Sequence, residues 1–373
     1  MSTPFVKFNI TDRPEFIKEL RKKVNQHFKD NNISKHANLN MKLKTIFMIS
    51  LYFTPLILML TGVIASLWWV MLMWVLMGFG MSGIGLSIMH DANHGSYSKN
   101  KQVNSVLGFL VNFLGAYHVN WKIQHNVLHH TFTNVNGLDD DIDVPVLRLS
   151  PKQVRNKWFF KFQAYYASFL YGMMTINWLL FKDFGKLYQY KKQNLLAGQG
   201  LTYTKAMTLL IINKAWYLAL TLLLPLILVD LPWWQILIGF MLMQFVCGLI
   251  LSYIFQPAHV IEETSFYEPD LNGSLENNWA IHQLQTTANF AEKSILFSWF
   301  VGGLNYQIEH HLFPNICHVH YKRLSKIVKE TALEFNLPYY QHKTFFGAIR
   351  SHFALLNQLG TGSYDLKTVK VNG

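Results

Sequence analysis

Eight of the sixteen histidines of this chain fall in four short stretches. These are His90-Asp-Ala-Asn-His94, His125-Asn-Val-Leu-His129-His130, His259, and Gln307-Ile-Glu-His310-His311. Imidazole is the commonest neutral nitrogen donor to iron, zinc and copper. Counted with Gln307, so many ligand-type side chains exceed the needs of one mononuclear site, so the pattern predicts a two-metal site. A lone histidine near a membrane is more often structural, but repeated clusters of this density outweigh that reading. Di-iron carboxylate bundles use paired Glu-x-x-His motifs, and zinc proteases use His-Glu-x-x-His; the chain contains neither. An all-nitrogen shell with open positions suits iron that must bind and activate oxygen. No base and oxyanion-hole set for a zinc hydrolase is present in the sequence. Cys247 and Cys317 are the two cysteines, so no cysteine zinc site is possible and no disulfide is expected.

The elements that must hold these clusters are apolar. Hydrophobic residues make up 51% of the chain and charged residues 14%, a membrane-protein balance. The net charge of +12 fits anionic headgroups or a phosphorylated substrate rather than nucleic acid, because no basic stripe stands apart from the apolar runs. Thr45 to Met89 holds no charged residue or histidine, enough for two spans of about 20 residues each, with the turn at Gly62–Ser66. Ala215 to Ala258 repeats the pattern around Asp230 and Pro232, with Lys214 at its mouth, where it can snorkel to the interface.

The predicted fold is an all-α membrane protein, with four transmembrane helices in two hairpins and a cytoplasmic helical cap holding a His-rich di-metal site. Its segments are a cytoplasmic amphipathic part (1–44), hairpins at 45–89 and 215–258, and cytoplasmic parts at 90–214 and 259–373. The lysines and arginines lie outside the hairpin turns, which places every histidine cluster on the cytoplasmic face by the positive-inside rule. The uncharged stretch Gln163–Phe181 is expected to lie on the membrane as an interfacial helix, since spanning would split the clusters. Ser105–Val119 is too short to span and is expected to re-enter or pack beneath the site. Thr11–Lys29 reads as an amphipathic helix capped by Asp12, with Pro14 in its first turn and Phe16, Leu20, Val24 and Phe28 on one face. No secretory signal peptide is expected, because the N-terminus is polar.

The order His-x3-His, His-x3-His-His, Gln-x2-His-His resembles the three histidine boxes of the membrane fatty acid desaturases. The resemblance extends over nearly the whole chain. HNVLHHTFTNVNGLDDDID and QIEHHLFP are similar to bacterial acyl-CoA or acyl-lipid members, and Gln307 at the head of the third box resembles the front-end, linoleoyl-type subgroup. The resemblance implies that His90, His94, His125, His129, His130, His259, His310 and His311 hold two iron ions, with O2 as co-substrate. Gln307 would bind metal, hold a water or orient a neighbour. Stearoyl-type members carry an Asn four residues before the His259 position; this chain has Phe255 there, and Gln256 could substitute through water. The implied reaction inserts a cis double bond into an acyl chain carried by CoA or a lipid. A separate electron donor of the ferredoxin or cytochrome b5 type, with its reductase, would supply electrons, since no haem, dinucleotide or ferredoxin motif is present. The implied location is a bacterial inner membrane.

Ligating imidazoles commonly donate their second N–H to a carboxylate or carbonyl. Asp91 and Glu309, inside the boxes, are the preferred carboxylates; Asp139, Asp140, Asp141 and Asp143 read singly as a solvated acidic loop, and Glu262 and Glu263 lie near His259. His118 and His282 are further candidates for the layer around the ligands, with Gln283–Asn289 near substrate or metals. His318 and His320 read as backbone-bonded, and His27, His36, His342 and His352 as surface residues. Hydroxylation of an acyl chain, alkane or carotenoid on the same scaffold is the alternative reaction. A metal transporter is a remote one, because it would place ionisable ligands at mid-membrane.

Overall fold

The computed structural model describes residues 6–153 and 157–364, and these are mostly helical. They divide into two compact units. One comprises 38–123 and 169–252; the other comprises 6–37, 124–153, 157–168 and 253–364.

Among the described residues, four helices are long and apolar enough to cross a membrane. With α1 given to the N-terminal helix Pro14–Asp30, they are α2 (Leu39–Leu60), α3 (Leu67–Asn93), α4 (Tyr203–Leu228) and α5 (Trp233–His259). At 1.5 Å per residue the shortest is about 33 Å long, enough for a hydrocarbon core of about 30 Å. In the first unit α2 and α3 pack together, and Gly80 allows the approach: a Cβ there would lie 2.6 Å from the Tyr52 backbone nitrogen. Trp68, Trp69, Trp233 and Trp234 are exposed where the apolar helices begin, as interfacial aromatics are.

The third apolar helix starts at Tyr203 rather than at Ala215, so Lys214 lies inside it. Lys214 is buried instead of snorkelling. Its Nζ donates to the Gly115 carbonyl (2.5 Å), the Trp178 carbonyl (3.0 Å) and Asp183 Oδ2 (2.5 Å). Asn120 Nδ2 completes the set through the Asp183 carbonyl and Oδ1. An ammonium in an apolar helix persists when every donor is taken up in this way.

Gln163–Phe181 is broken rather than continuous. Helices Gln163–Gly172 and Met174–Asn177 are followed by a π turn at Trp178–Lys182. The stretch expected beneath the site is an α-helix, Lys101–Gly108, that tightens to 3-10 winding at Phe109–Leu114 and ends at Gly115 with φ 76°. It packs against Ile84–Met89 of α3.

In the second unit α1 buries Phe16, Leu20 and Val24. They join one core with Leu324 and Val328 of α8 (Tyr321–Glu334), and with Ile308 and Leu312 of α7 (Gln307–Leu312). Asp12 does not cap α1. Arg13 occupies that position with φ 45°, and the Asp12 carboxylate pairs with Arg13 at 2.9 Å. Trp279–Thr286 forms α6 and Phe345–Thr361 forms α9. The all-helical expectation is modified by two short parallel pairs: β1 (Lys7–Phe8) with β2 (Ser274–Leu275), and β3 (Ala288–Phe290) with β4 (Tyr340–His342). His352, expected at the surface, is fully buried on α9 and donates from Nδ1 to the Val260 carbonyl at 2.7 Å.

Candidate metal centre

Both histidine clusters that continue a helix do so through π winding. Ile84–Met89 precedes His90, and Lys122–His129 carries the second cluster. π segments are rare and occur mostly at functional sites. In α winding His125 and His129 would share a face. Ligand atoms of His125, His129 and Asp141 do lie within 4.8 Å of one another, and the wider i→i+5 winding also brings His125 to His130, with their Nε2 atoms 3.2 Å apart. His130 Nε2 is also 2.9 Å from His310 Nε2. Three buried ring nitrogens thus converge on one point.

A second set lies beside it. The ligand atoms of His129, His259 and His311 all fall within 4.8 Å of one another. The ring of His130 stacks on that of His311, with centroids 4.4 Å apart. His129 Nδ1 contacts both oxygens of Asp139 at 3.2 Å, and Asp141 Oδ2 lies 3.5 Å away. His259 Nδ1 donates to the Thr286 carbonyl at 3.1 Å, and His311 Nδ1 to Gln283 Oε1 at 2.8 Å. The Nε2 atoms of His129 and His259 are buried with no hydrogen-bond partner among the described residues. Outer nitrogens held by protein and inner nitrogens left to converge is the arrangement of imidazole around a metal. The residues therefore fit a metal pair.

The supports were largely hidden in the sequence. Asp139 is not a solvated loop residue: it is buried, and it also accepts from the backbone N–H groups of Asn134 (2.9 Å) and Asp141 (3.0 Å). Burial lowers the His129 pKa, but the Asp139 charge, the Asp139 hydrogen bond and the Asp141 charge together outweigh it and hold the pKa up. Asn134, at φ 57°, uses Nδ2 to tie the exit of the second cluster to the His259 carbonyl at 2.7 Å. The Thr133 hydroxyl donates to the His129 carbonyl at 2.7 Å and sits 3.0 Å from Gln283 Oε1. The half-buried Trp279 donates from its indole to the His130 carbonyl at 3.1 Å, and the Tyr321 hydroxyl lies 3.3 Å from His310 Nδ1. Types alone did not single out Asn134, Thr133, Trp279 or Tyr321. Gln283 fell within a stretch already noted.

The remaining candidates are distributed as follows. His282 is buried and donates from Nε2 to the Thr133 carbonyl at 2.7 Å, and burial pulls its pKa down to about 4. Glu309 is buried on α7, and its hydrogen bonds come from Asn289 Nδ2 (2.8 Å) and the Tyr339 hydroxyl (3.1 Å) rather than from an imidazole. Burial pushes its pKa up to about 8, against the Asn289 bond that holds it down. Gln307 is buried with neither amide atom partnered among the described residues. Phe255 stands edge-on to His125, with ring centroids 5.9 Å apart, and Gln256 has an enclosed Oε1 without a partner among the described residues. His90 and His94 belong to the other unit, with ring centroids 4.9 Å apart and both beside Trp121. Asp91 is buried there, and its backbone carbonyl accepts from Ser96. His118 is held by Asn112 in the same unit, with its pKa pulled down to about 4 by burial and then by Lys122. His320 donates to the His36 carbonyl at 3.3 Å, as expected for a backbone-bonded residue.

These features define a class: a helical membrane protein with buried imidazoles gathered into metal-binding geometry. The fatty acid desaturase family model matches residues 66–343. The sn-1 linoleoyl-lipid 6-desaturase of Arthrospira platensis is 36% identical over 352 residues, covering 92% of each chain. The sn-1 linoleoyl-lipid 6-desaturase of Synechocystis sp. is 34% identical over 96% of this chain and 99% of its own length. The acyl-lipid (8-3)-desaturase of Physcomitrium patens is 33% identical over 95% of this chain and 74% of its own. The chain belongs to the fatty acid desaturase family, and it is an oxidoreductase that desaturates acyl chains.

Proposed function

We propose that the protein is a front-end acyl-lipid desaturase acting on a linoleoyl-type chain. The converging Nε2 atoms of His125, His130 and His310, beside the His129, His259 and His311 set, carry this reading. His90 and His94 enter the ligand set on their His-x3-His spacing alone, which makes eight imidazoles for two iron ions. Gln307 adds an amide that is buried without a partner among the described residues, suited to a metal or to its water. The relatives named as linoleoyl-lipid desaturases support a lipid-borne, already unsaturated substrate.

The iron pair would supply the oxidising power for breaking unactivated C–H bonds. The balance is one O2, two electrons and two protons consumed as two hydrogens leave adjacent methylenes, giving a cis alkene and two waters. The chain's own residues position and tune. Asp139, Gln283 and the Thr286 carbonyl fix which nitrogen of each imidazole carries the proton, leaving Nε2 as the donor to metal. Phe255, edge-on to His125, gives the site an apolar wall against which an acyl chain can lie. The four spans form two hairpins in a bacterial inner membrane, with the histidines on the cytoplasmic side. A ferredoxin or cytochrome b5-type donor delivers the electrons.

The test is expression in a host lacking polyunsaturated fatty acids, fed linoleate, with mass-spectrometric mapping of new double bonds. A new bond on the carboxyl side of the existing one is expected. A hydroxylated product would move the reaction to oxygen insertion, and a bond on the methyl side would remove the front-end assignment.

A further inference from the structure

The amphipathic helix α9 has an outward face that the proposed chemistry does not use. Its inner face buries Ala348, Ser351, His352, Leu355, Leu356 and Leu359, and Thr344 caps it by accepting from the Gly347 N–H at 3.0 Å. On the opposite side stand Phe346, 79% exposed, and the half-buried Ile349 and Phe353, at positions that return to one stripe of a helix. Ile295 and Leu296 add apolar surface on a segment that packs against the start of α9. They are exposed at the start of the short helix Ile295–Phe300, whose Phe297 ring packs on that of Phe345 at 5.0 Å. Lys293, Lys343 and Arg350, which flank these residues in the chain, are exposed. The nearby acids are already engaged: Glu263 with Ser351 and His342, and Glu262 with Gln358.

The depth of this stripe can be read from α5. That helix starts at the interfacial Trp233, and a bilayer core takes up about 20 residues, which brings the far interface to the neighbourhood of Tyr253. The Tyr253 ring packs on Phe353, with centroids 6.3 Å apart, and its hydroxyl meets Ser168 at 2.6 Å. Ser168 lies on the helix that begins at Gln163, whose Tyr165 is 84% exposed; Trp158, just before that helix, is 77% exposed. Lys157 and Lys161 sit over the Phe159 and Phe162 rings there. The far end of α9 packs on this same segment, with Gly360 against the Phe160 backbone.

An apolar stripe rimmed by cations, running from a ring at the end of a membrane span, has the make-up of a helix lying in a lipid interface. We propose that α9 is such a helix, with Phe346, Ile349 and Phe353 entering the headgroup region of an anionic leaflet. The inference rests on α5 crossing the bilayer and is independent of the substrate and of iron.

Both native cysteines are buried, so a single introduced cysteine can be labelled cleanly. The experiment places a nitroxide at Phe346→Cys in the full chain, reconstituted in phosphatidylcholine–phosphatidylglycerol vesicles. Collision with oxygen is compared with collision with a water-soluble nickel chelate, and Lys326→Cys on the exposed face of α8 serves as the aqueous reference. Oxygen should dominate at 346 and the chelate at 326. Omission of phosphatidylglycerol should shift the balance at 346 toward the chelate. Equal chelate access at both positions would overturn the proposal. So would a label at 346 shielded from both reagents, which would indicate a protein partner, and an unchanged balance without phosphatidylglycerol would overturn its anionic part.

Discussion

Replacement of Asp139 by Ala should loosen the metal pair more than it loosens the fold. The change removes the acceptor for His129 Nδ1 and for the backbone N–H groups of Asn134 and Asp141. A buried donor left without an acceptor costs about 1–3 kcal/mol. The Asp141 backbone is half-buried and can take water, so two orphaned donors count, about 2–6 kcal/mol before relief. Asp141 Oδ2, 3.5 Å from the same imidazole nitrogen, supplies part of that relief. A value near the lower end, about 2–3 kcal/mol, is expected for the single variant, with a further loss in Asp139→Ala/Asp141→Ala. Loss of a group that orients a metal-ligating histidine typically costs about 10–100-fold in metal affinity or activity. Asp139→Asn keeps one carbonyl oxygen, which at the Oδ2 position can still serve His129 and Asn134 but sets an amide N–H against the Asp141 N–H, and should fall between. The assay is iron retained against a chelator at fixed free concentration, read beside kcat and thermal unfolding in detergent. If Asp139→Ala kept its iron and its kcat within about twofold of the parent, a span well below the usual loss, the positioning argument would fail.

Other expectations follow from particular contacts. Gln283→Leu removes the acceptor for His311 Nδ1 and should lower iron retention, while Gln283→Glu, which keeps the acceptor, should restore most of it; equal loss in both would indicate packing instead. Lys214→Met strands the buried Asp183 and should cost about 3–5 kcal/mol, whereas Lys214→Met/Asp183→Leu should recover much of that in unfolding measurements; no recovery would refute the pairing account. His352 has its pKa pulled from the ordinary 6.5 down to about 4 by burial. The unfolded chain therefore takes up a proton near pH 6.5 that the folded chain refuses until about pH 4, so this histidine's contribution falls as pH drops through that window and is constant above it. The full size is about 3 kcal/mol. His352→Gln should flatten the acid side of the stability curve relative to the parent, and parallel curves would contradict it.

Much of this arrangement is written locally in the sequence. The spans follow from apolar runs, and the clusters from histidine density. What was not legible depends on partners far along the chain. Lys214 reads as an interfacial lysine until Asp183 is seen against it. Asp139 is one of four acids within five residues, and only folding turns it, with Asp141 beside it, toward His129 while Asp143 stays exposed. The π winding at Ile84–Met89 and Lys122–His129 has no residue signature that spacing or composition could show. Spacing read as α winding pairs His125 with His129, whose ligand atoms do come within 4.8 Å, but does not show that His125 also meets His130. His352 reads as polar surface because its acceptor, the Val260 carbonyl, lies on another segment.

The most direct test of the central claim is metal analysis of the purified, membrane-extracted chain and of His130→Ala, whose imidazole adjoins both histidine sets. The account predicts close to two irons per chain in the parent, with iron loss in the variant while membrane insertion is retained. One zinc and no iron in the parent, or unchanged iron in His130→Ala, would contradict it.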